Sequence, residues 1–201
     1  MPETARQRIL RLVRPKGFVT ARAVSRAGIH TQELTRLVAD GTLERIGPGR
    51  YCLADADVTE HHGLAMAAAA SRDGVICLLS ALAFHQIGTQ LPAEVWIAIE
   101  RGQRPPKVAG LRLRVVRFSG PSFREGIEVH EIERQRVRVY GVAKTIADLF
   151  KARNRVGIDV AVEALREAWR ERRFTMRELD RAARACRVER VMRPYVEGVV
   201  V

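Results

Sequence analysis

The sequence predicts an α+β fold, and three observations carry that prediction. Apolar residues recur at helical spacing through the first 41 residues. Short alternating strands follow at 42–53 and again between residues 94 and 140. From Val142 to the end the helical period returns. The 201 residues suffice for one large domain or two small ones. Nearly half of them are apolar, so a core can be buried. The division is placed after residue 55, within the Asp-containing stretch "ADADVTE", which makes the domains 1–55 and 56–201.

"ETARQRILRLVRPKG" sets Ala5, Ile9, Leu12 and Val13 on one helical stripe, and Pro15 and Gly17 stop it. "FVTARAVSRAGI" offers Thr20 as N-cap, Ala23, Val24 and Ala27 as the inner face, and Gly28 as the close. "HTQELTRLVADG" offers Thr31 as cap, with Leu34, Leu37 and Val38 inward and Gly41 at the end. Three short helices with a tight glycine turn between the second and third form a helix-turn-helix pattern.

"TLERIGPGRYCLA" then alternates over Thr42–Ile46 and Arg50–Leu53, with Gly47-Pro48-Gly49 as the turn. A hairpin after the third helix makes the pattern a winged helix-turn-helix. Such a module places its third helix in the major groove and its hairpin tip on flanking phosphates or the minor groove. Gln32, Thr35 and Arg36 lie opposite Leu34, Leu37 and Val38, and Arg45 and Arg50 flank the tip. Gln and Arg suit adenine and guanine edges, and Thr suits phosphate or a thymine methyl. These five residues are the expected DNA contacts.

The rest reads as a small, mostly antiparallel sheet beside helices. Val75–Leu78 is a short apolar run, Ser80–Gln86 a helix and Glu94–Ile99 a strand. "LRLRVVRFS", "GIEVHEIE" and "RVRVYG" supply further strands. "GVAKTIADLFKARNRVG" is an amphipathic helix with Val142, Ile146, Leu149 and Phe150 inward. "IDVAVEALREAWRERR" is another helix, "TMRELDRAARACR" opens with the capping box Thr175–Glu178, and "VERVMRPYVEGVVV" closes the chain. Lys144, Asp148, Lys151 and Arg155 are spaced four, three and four apart. They share the helical face opposite Ile146, Leu149 and Phe150. That face reads either as a partner-contacting surface or as a locally paired one.

Charge points to polyanions. The net charge is +12 and the pI about 10.8. Residues 1–54 carry +6, 55–132 carry −1 and 133–201 carry +7. Of the 35 cations, 31 are arginine and only Lys16, Lys107, Lys144 and Lys151 are lysine. No membrane span or signal peptide is read, so the chain is expected in the cytoplasm. Cys52, Cys77 and Cys186 are read as reduced, mostly buried thiols. Adjacent His61 and His62 lack ligand spacing, and neither metal nor cofactor is expected.

An enzyme is disfavoured. Asp73, Glu94 and Glu100 lack the acid-x-Lys that a restriction-type nuclease needs, since Arg101-Gly102 follows Glu100. Ser80 and His85 have no evident acid partner, and no phosphate loop or hydrolase motif is found.

"CLLSALAFHQIGTQLPAEVWIAI" followed by "VAKTIADLFKARNRVGIDVAVEALREAW" resembles the antitoxin domain of the AbiE family of bacterial abortive-infection toxin–antitoxin systems. The preceding winged helix resembles the same family's DNA-binding domain. The resemblance implies a type IV antitoxin of the AbiEi kind with a role in phage defence. It implies a repressor of its own operon, bound to inverted repeats in the promoter by two copies of a monomer or weak dimer. It also implies a functional partner, a nucleotidyltransferase-type toxin, countered without a stable complex. Lys144, Asp148, Lys151 and Arg155 are the antitoxin surface expected on this reading. The alternative is a stand-alone winged-helix transcription factor with a C-terminal dimerisation or sensing domain.

Overall fold

A computed structural model describes residues 3–15, 17–54, 59–71 and 73–200. The chain forms two compact units: residues 1–72, 106–113 and 130–137, and residues 73–105, 114–129 and 138–201. It is α+β, with a three-stranded antiparallel sheet and a five-stranded mixed one.

In the first unit, α1 (Ala5–Val13) opens with a capping box between Thr4 and Gln7. β1 (Phe18–Thr20) leads into α2 (Ala21–Arg26), whose cap Thr20 accepts a 3.1 Å bond from the Ala23 amide. α3 (Gln32–Ala39) follows a short turn, then β2 (Leu43–Gly47) and β3 (Arg50–Leu53). The strand order is β1-β3-β2. Strand β1 is absent from the sequence reading, because three residues are too few to show alternation. Pro48-Gly49 alone makes the turn. Gly47 instead ends β2 and pairs with Arg50, and a Cβ there would lie 3.1 Å from the Lys107 carbonyl oxygen. Ile9, Val13, Val19, Val24, Ile29, Leu34, Leu37 and Leu43 form the core.

The same unit contains α4 (His62–Ala70), which adds Ala69 and Met66 to a small cluster with Ile46 and Cys52. The linker reading falls mainly on residues 55–58, outside the described residues. The compact unit runs on through residue 72, beyond the sequence division at 55, because α4 covers apolar side chains of the β2–β3 sheet. The non-glycine pair Glu133 (φ 50°) and Arg134 (φ 62°) also lies in this unit. Two successive positive φ values make the tight turn of a hairpin. Contacts hold this strained turn. The Glu133 carboxylate accepts 2.8 and 3.0 Å bonds from the Thr59 amide and hydroxyl, and His62 Nδ1 lies 2.7 Å away.

The five-stranded sheet has the order β6-β5-β4-β8-β7. The strands are β4 (Val75–Ile76), β5 (Val95–Glu100), β6 (Leu113–Phe118), β7 (Ile127–Ile132) and β8 (Gln135–Tyr140). β4 pairs antiparallel with β5 and parallel with β8. The helices of the second unit are α5 (Leu78–Phe84), α6 (Pro121–Arg124), α7 (Val142–Lys151), α8 (Arg153–Val156), α9 (Ile158–Arg170), α10 (Met176–Cys186) and α11 (Glu189–Val200). The expected capping box Thr175–Glu178 is present on α10. The single helix read over 141–157 is two, because the chain breaks between α7 and α8.

Helix α7 is where the sequence reading fails most. Val142, Ile146, Leu149 and Phe150 are buried as expected, but so are Lys144 (1% exposed) and Asp148 (0%). The two therefore cannot be the partner-contacting surface assigned to them. Their helix is packed by α5, α9, α10 and α11, so its polar side also faces protein. Lys144 Nζ sits 2.5 Å from Asp148 Oδ2, and the Cys186 thiol donates to Oδ1 at 3.2 Å. The ammonium also lies 4.0 Å from the Tyr140 ring centroid. Gly126 permits this close packing, since a Cβ there would be 2.6 Å from Lys144 Cβ. Burial raises the Asp148 pKa, against the pull of Lys144. All three cysteines are free and buried, as expected. Burial pushes Cys52 to about 11 and Cys186 to about 12.

Removing one member of a buried pair leaves an uncompensated charge and costs about 3–5 kcal/mol. Lys144→Met is expected to lower the unfolding free energy by that amount in urea melts. Lys144→Met with Asp148→Leu is expected to recover most of it. A single variant as stable as wild type would contradict the pairing.

Glu133 supplies an acid-sensitive contact. Burial pushes its pKa up, but hydrogen bonds from Thr59 and His62 outweigh burial and hold it below the usual glutamate value. The contribution to stability is thus full above about pH 4.3 and lost as pH falls through the folded-state pKa. Amide exchange at Thr59, corrected for intrinsic rate, should quicken in that acid window, and Glu133→Gln should remove the pH dependence. Thr59 protection unchanged down to pH ~3 would refute it.

Candidate nucleic-acid interface

The geometry of α2, the turn and α3 is set by their ends. Gly28 at φ 70° closes α2, and the Ile29 amide bonds back to the Val24 carbonyl at 3.1 Å, while Ile29 itself is buried. This is a Schellman close, with its apolar residue tucked inward. α3 then starts differently from expectation. Thr31 is in an αR conformation and its side chain caps nothing; His30 Nδ1 accepts the Gln32 amide at 3.2 Å instead. At the other end of α3, Asp40 accepts from the Thr42 amide and from Arg6, and Arg6 also donates to the Thr42 hydroxyl at 2.9 Å. The Thr42 bonds, aided by Arg6, hold the Asp40 carboxyl below its ordinary pKa. α1, α3 and β2 are thereby tied at one junction.

Each expected DNA contact has a definite place. Leu34 and Leu37 are buried, and Gln32, Thr35 and Arg36 are exposed on the opposite side of α3. Arg36 pairs with Glu33 at 2.7 Å across the helix surface. An exposed pair of this spacing is worth about 0.2–0.5 kcal/mol. A bidentate guanine contact is worth about 1–3 kcal/mol, so Arg36 is free to change partner. Arg45 is exposed at the hairpin, its Nε 3.3 Å from the Gly47 carbonyl oxygen. Arg50 is half-buried, with its guanidinium 5.6 Å from the centroid of the Phe18 ring. It is the least available of the five.

Arg22 and Arg26 escaped the sequence reading. Both are exposed on α2, and neither has an ion-pair partner among the described residues. Their i, i+4 spacing opposite Val24 is the signal that finds them. His30, at the head of α3, was also missed.

The second expected surface is divided. Lys144 and Asp148 are internal, whereas Lys151 and Arg155 are exposed. The carboxylates weighed for an enzyme are scattered among arginines: Asp73 with Arg138, Glu94 with Arg114 and Glu100 with Arg124, at 3.6–3.9 Å. The Ser80 hydroxyl accepts from the Trp96 amide at 2.9 Å, and His85 Nε2 donates to the Tyr140 carbonyl at 2.8 Å. Both are structural bonds. His62 is paired with Glu133 at 2.7 Å. Among the described residues no helix is long and apolar enough to cross a membrane.

The capped α2–α3 pair, its small apolar core and the exposed polar face of α3 fit a helix-turn-helix of the transcriptional-regulator class. Residues 7–54 match the family described as transcriptional regulator, AbiEi antitoxin. The sequence resemblance is borne out there, and residues 55–201 lie outside the match. A comparison with curated proteins finds no match.

Proposed function

We propose that the chain is the antitoxin of a type IV toxin–antitoxin system and an autorepressor, its first unit binding promoter DNA as a winged helix-turn-helix. The match of residues 7–54 to AbiEi antitoxin regulators carries this reading. The exposed Gln32, Thr35 and Arg36 on a buried-core helix support it. On this reading α3 lies in the major groove and reads base edges through those three residues. The β2–β3 hairpin is the wing, with Arg45 and, more weakly, Arg50 on flanking phosphates. Arg22 and Arg26 on α2 contact the backbone, as the first helix of such a motif does. One module reads few base pairs, so two copies on an inverted repeat supply the discrimination a promoter needs.

Residues beyond the first unit counter the toxin on this reading, a nucleotidyltransferase that need not be held in a stable complex. Of the four residues first assigned to that task, Lys151 and Arg155 remain its surface, because only they are exposed.

Gel shifts on the chain's own promoter test the DNA reading. Arg36→Ala should relax preference at one operator position by about 1–3 kcal/mol. Arg22→Ala and Arg26→Ala should weaken binding to all sequences and flatten the salt slope by about one unit each. Wild-type binding by all three variants would refute the placement.

Growth rescue in cells expressing the partner toxin tests the antitoxin reading. Charge reversal at Lys151 and Arg155 should abolish rescue while leaving the melting temperature and promoter binding intact. Rescue that survives would move the surface elsewhere.

A further inference from the structure

The second unit holds an open cleft of about 830 Å³ lined by more cations than carboxylates. Arg117 from β6, Lys151 from the end of α7, Arg155 from α8, and Arg184 and Arg187 from the end of α10 line it. The carboxylate lining it is Asp148, already held by Lys144. Among the described residues only Arg184 of the five has an ion-pair partner, Glu189, and that pair is exposed and screened by solvent. Arg117 is oriented by donating to the Gln103 carbonyl at 2.9 Å, and Lys151 by donating to the Ser122 hydroxyl at 3.2 Å. These bonds aim the cations without discharging them.

Helix dipoles account for part of this. α7 and α10 both end at the cleft, and cations favour helix C-termini. Arg187, at the cap of α10, also occupies a left-handed position at φ 59°. That position favours glycine or asparagine, so an arginine there is a strained choice. Gathering five cations in one concavity also adds self-repulsion, which a bound anion relieves.

We propose that this cleft binds a ligand bearing two or more adjacent phosphates, borne by a free nucleotide or by a 5′-phosphorylated RNA end. Arginine forks match phosphate oxygens in pairs. The volume falls within the range of small-ligand sites, roughly 300–1,000 Å³, and a concavity suits a compact polyphosphate. The aromatic ring among the lining residues, Phe118, is 8% exposed and offers no stacking face. Recognition therefore runs through phosphate and is indifferent to the base. The assignment stands on the cleft's own residues and does not rest on the antitoxin reading.

Calorimetry and thermal shift on the intact chain test it, with tripolyphosphate, ATP, GTP, orthophosphate and two RNA pentamers, one 5′-triphosphate and one 5′-hydroxyl. Tripolyphosphate, ATP and GTP should bind within a few-fold of one another and raise the melting temperature, and orthophosphate should bind at least tenfold more weakly. Arg155→Gln with Arg187→Gly should weaken polyphosphate at least tenfold. The glycine suits the left-handed position, so the unliganded melting temperature should not fall. A 5′-triphosphate RNA that outbinds ATP identifies an RNA end as the source; ATP that outbinds it identifies the free nucleotide. No binding of any polyphosphate at millimolar concentration overturns the proposal. So does 5′-hydroxyl RNA that binds as tightly as its triphosphate form, because plain backbone attraction then suffices.

Discussion

An ammonium and a carboxylate taken out of water together must be held at contact distance, or the helix that carries them cannot be buried. Lys144 and Asp148 meet that condition one turn apart on α7. Because they do, α7 can be packed by α5, α9, α10 and α11 and serve as the central helix of its unit. The arrangement recruits its neighbours. Cys186 on α10 donates to the second Asp148 oxygen, the Tyr140 ring faces the ammonium, and Tyr140 itself is fixed by a 2.7 Å bond from its hydroxyl to the Phe123 carbonyl. A desolvated pair contributes little net stability but is costly to break. Packed this way, α7 carries Lys151 at its end to the lining of the cleft.

The first unit is held by capping and short polar ties around a small apolar core. Thr20, Gly28 and His30 set where α2 stops and α3 starts, and the Arg6–Asp40–Thr42 junction sets where α3 ends. On the proposed DNA-binding reading these fixed ends matter, since side chains that read bases must arrive at fixed positions. The pairing of Arg36 with Glu33 is weak enough to be exchanged for a nucleic-acid edge.

Much of this was legible in the sequence. Period-2 alternation located β2, β3 and β5 to β8, helical spacing located α1 to α3, α5, α7 and α9 to α11, and the Thr175–Glu178 box marked the start of α10. What escaped was non-local or unusual. β1 is too short to alternate. The Glu133-Arg134 turn lacks the glycine or asparagine that announces such turns, and it is held by partners about 70 residues away in sequence. Lys144 and Asp148 at i, i+4 read as a partner-contacting or locally paired face; the pairing is present, but sequence spacing cannot tell whether such a stripe meets solvent, a partner or another helix. The same limit hid the cleft, whose five cations come from β6, α7, α8 and α10.

The central claim is that two lysines on one helix have opposite environments, one interior and one lining an open cleft. The chain has only four lysines, so amine labelling of the native protein, read by mass spectrometry, resolves each of them. Lys151 should be modified at the rate of an exposed amine, and Lys144 should stay unmodified until the protein is unfolded. Modification of Lys144 at a rate similar to Lys151 in the folded protein would contradict the account.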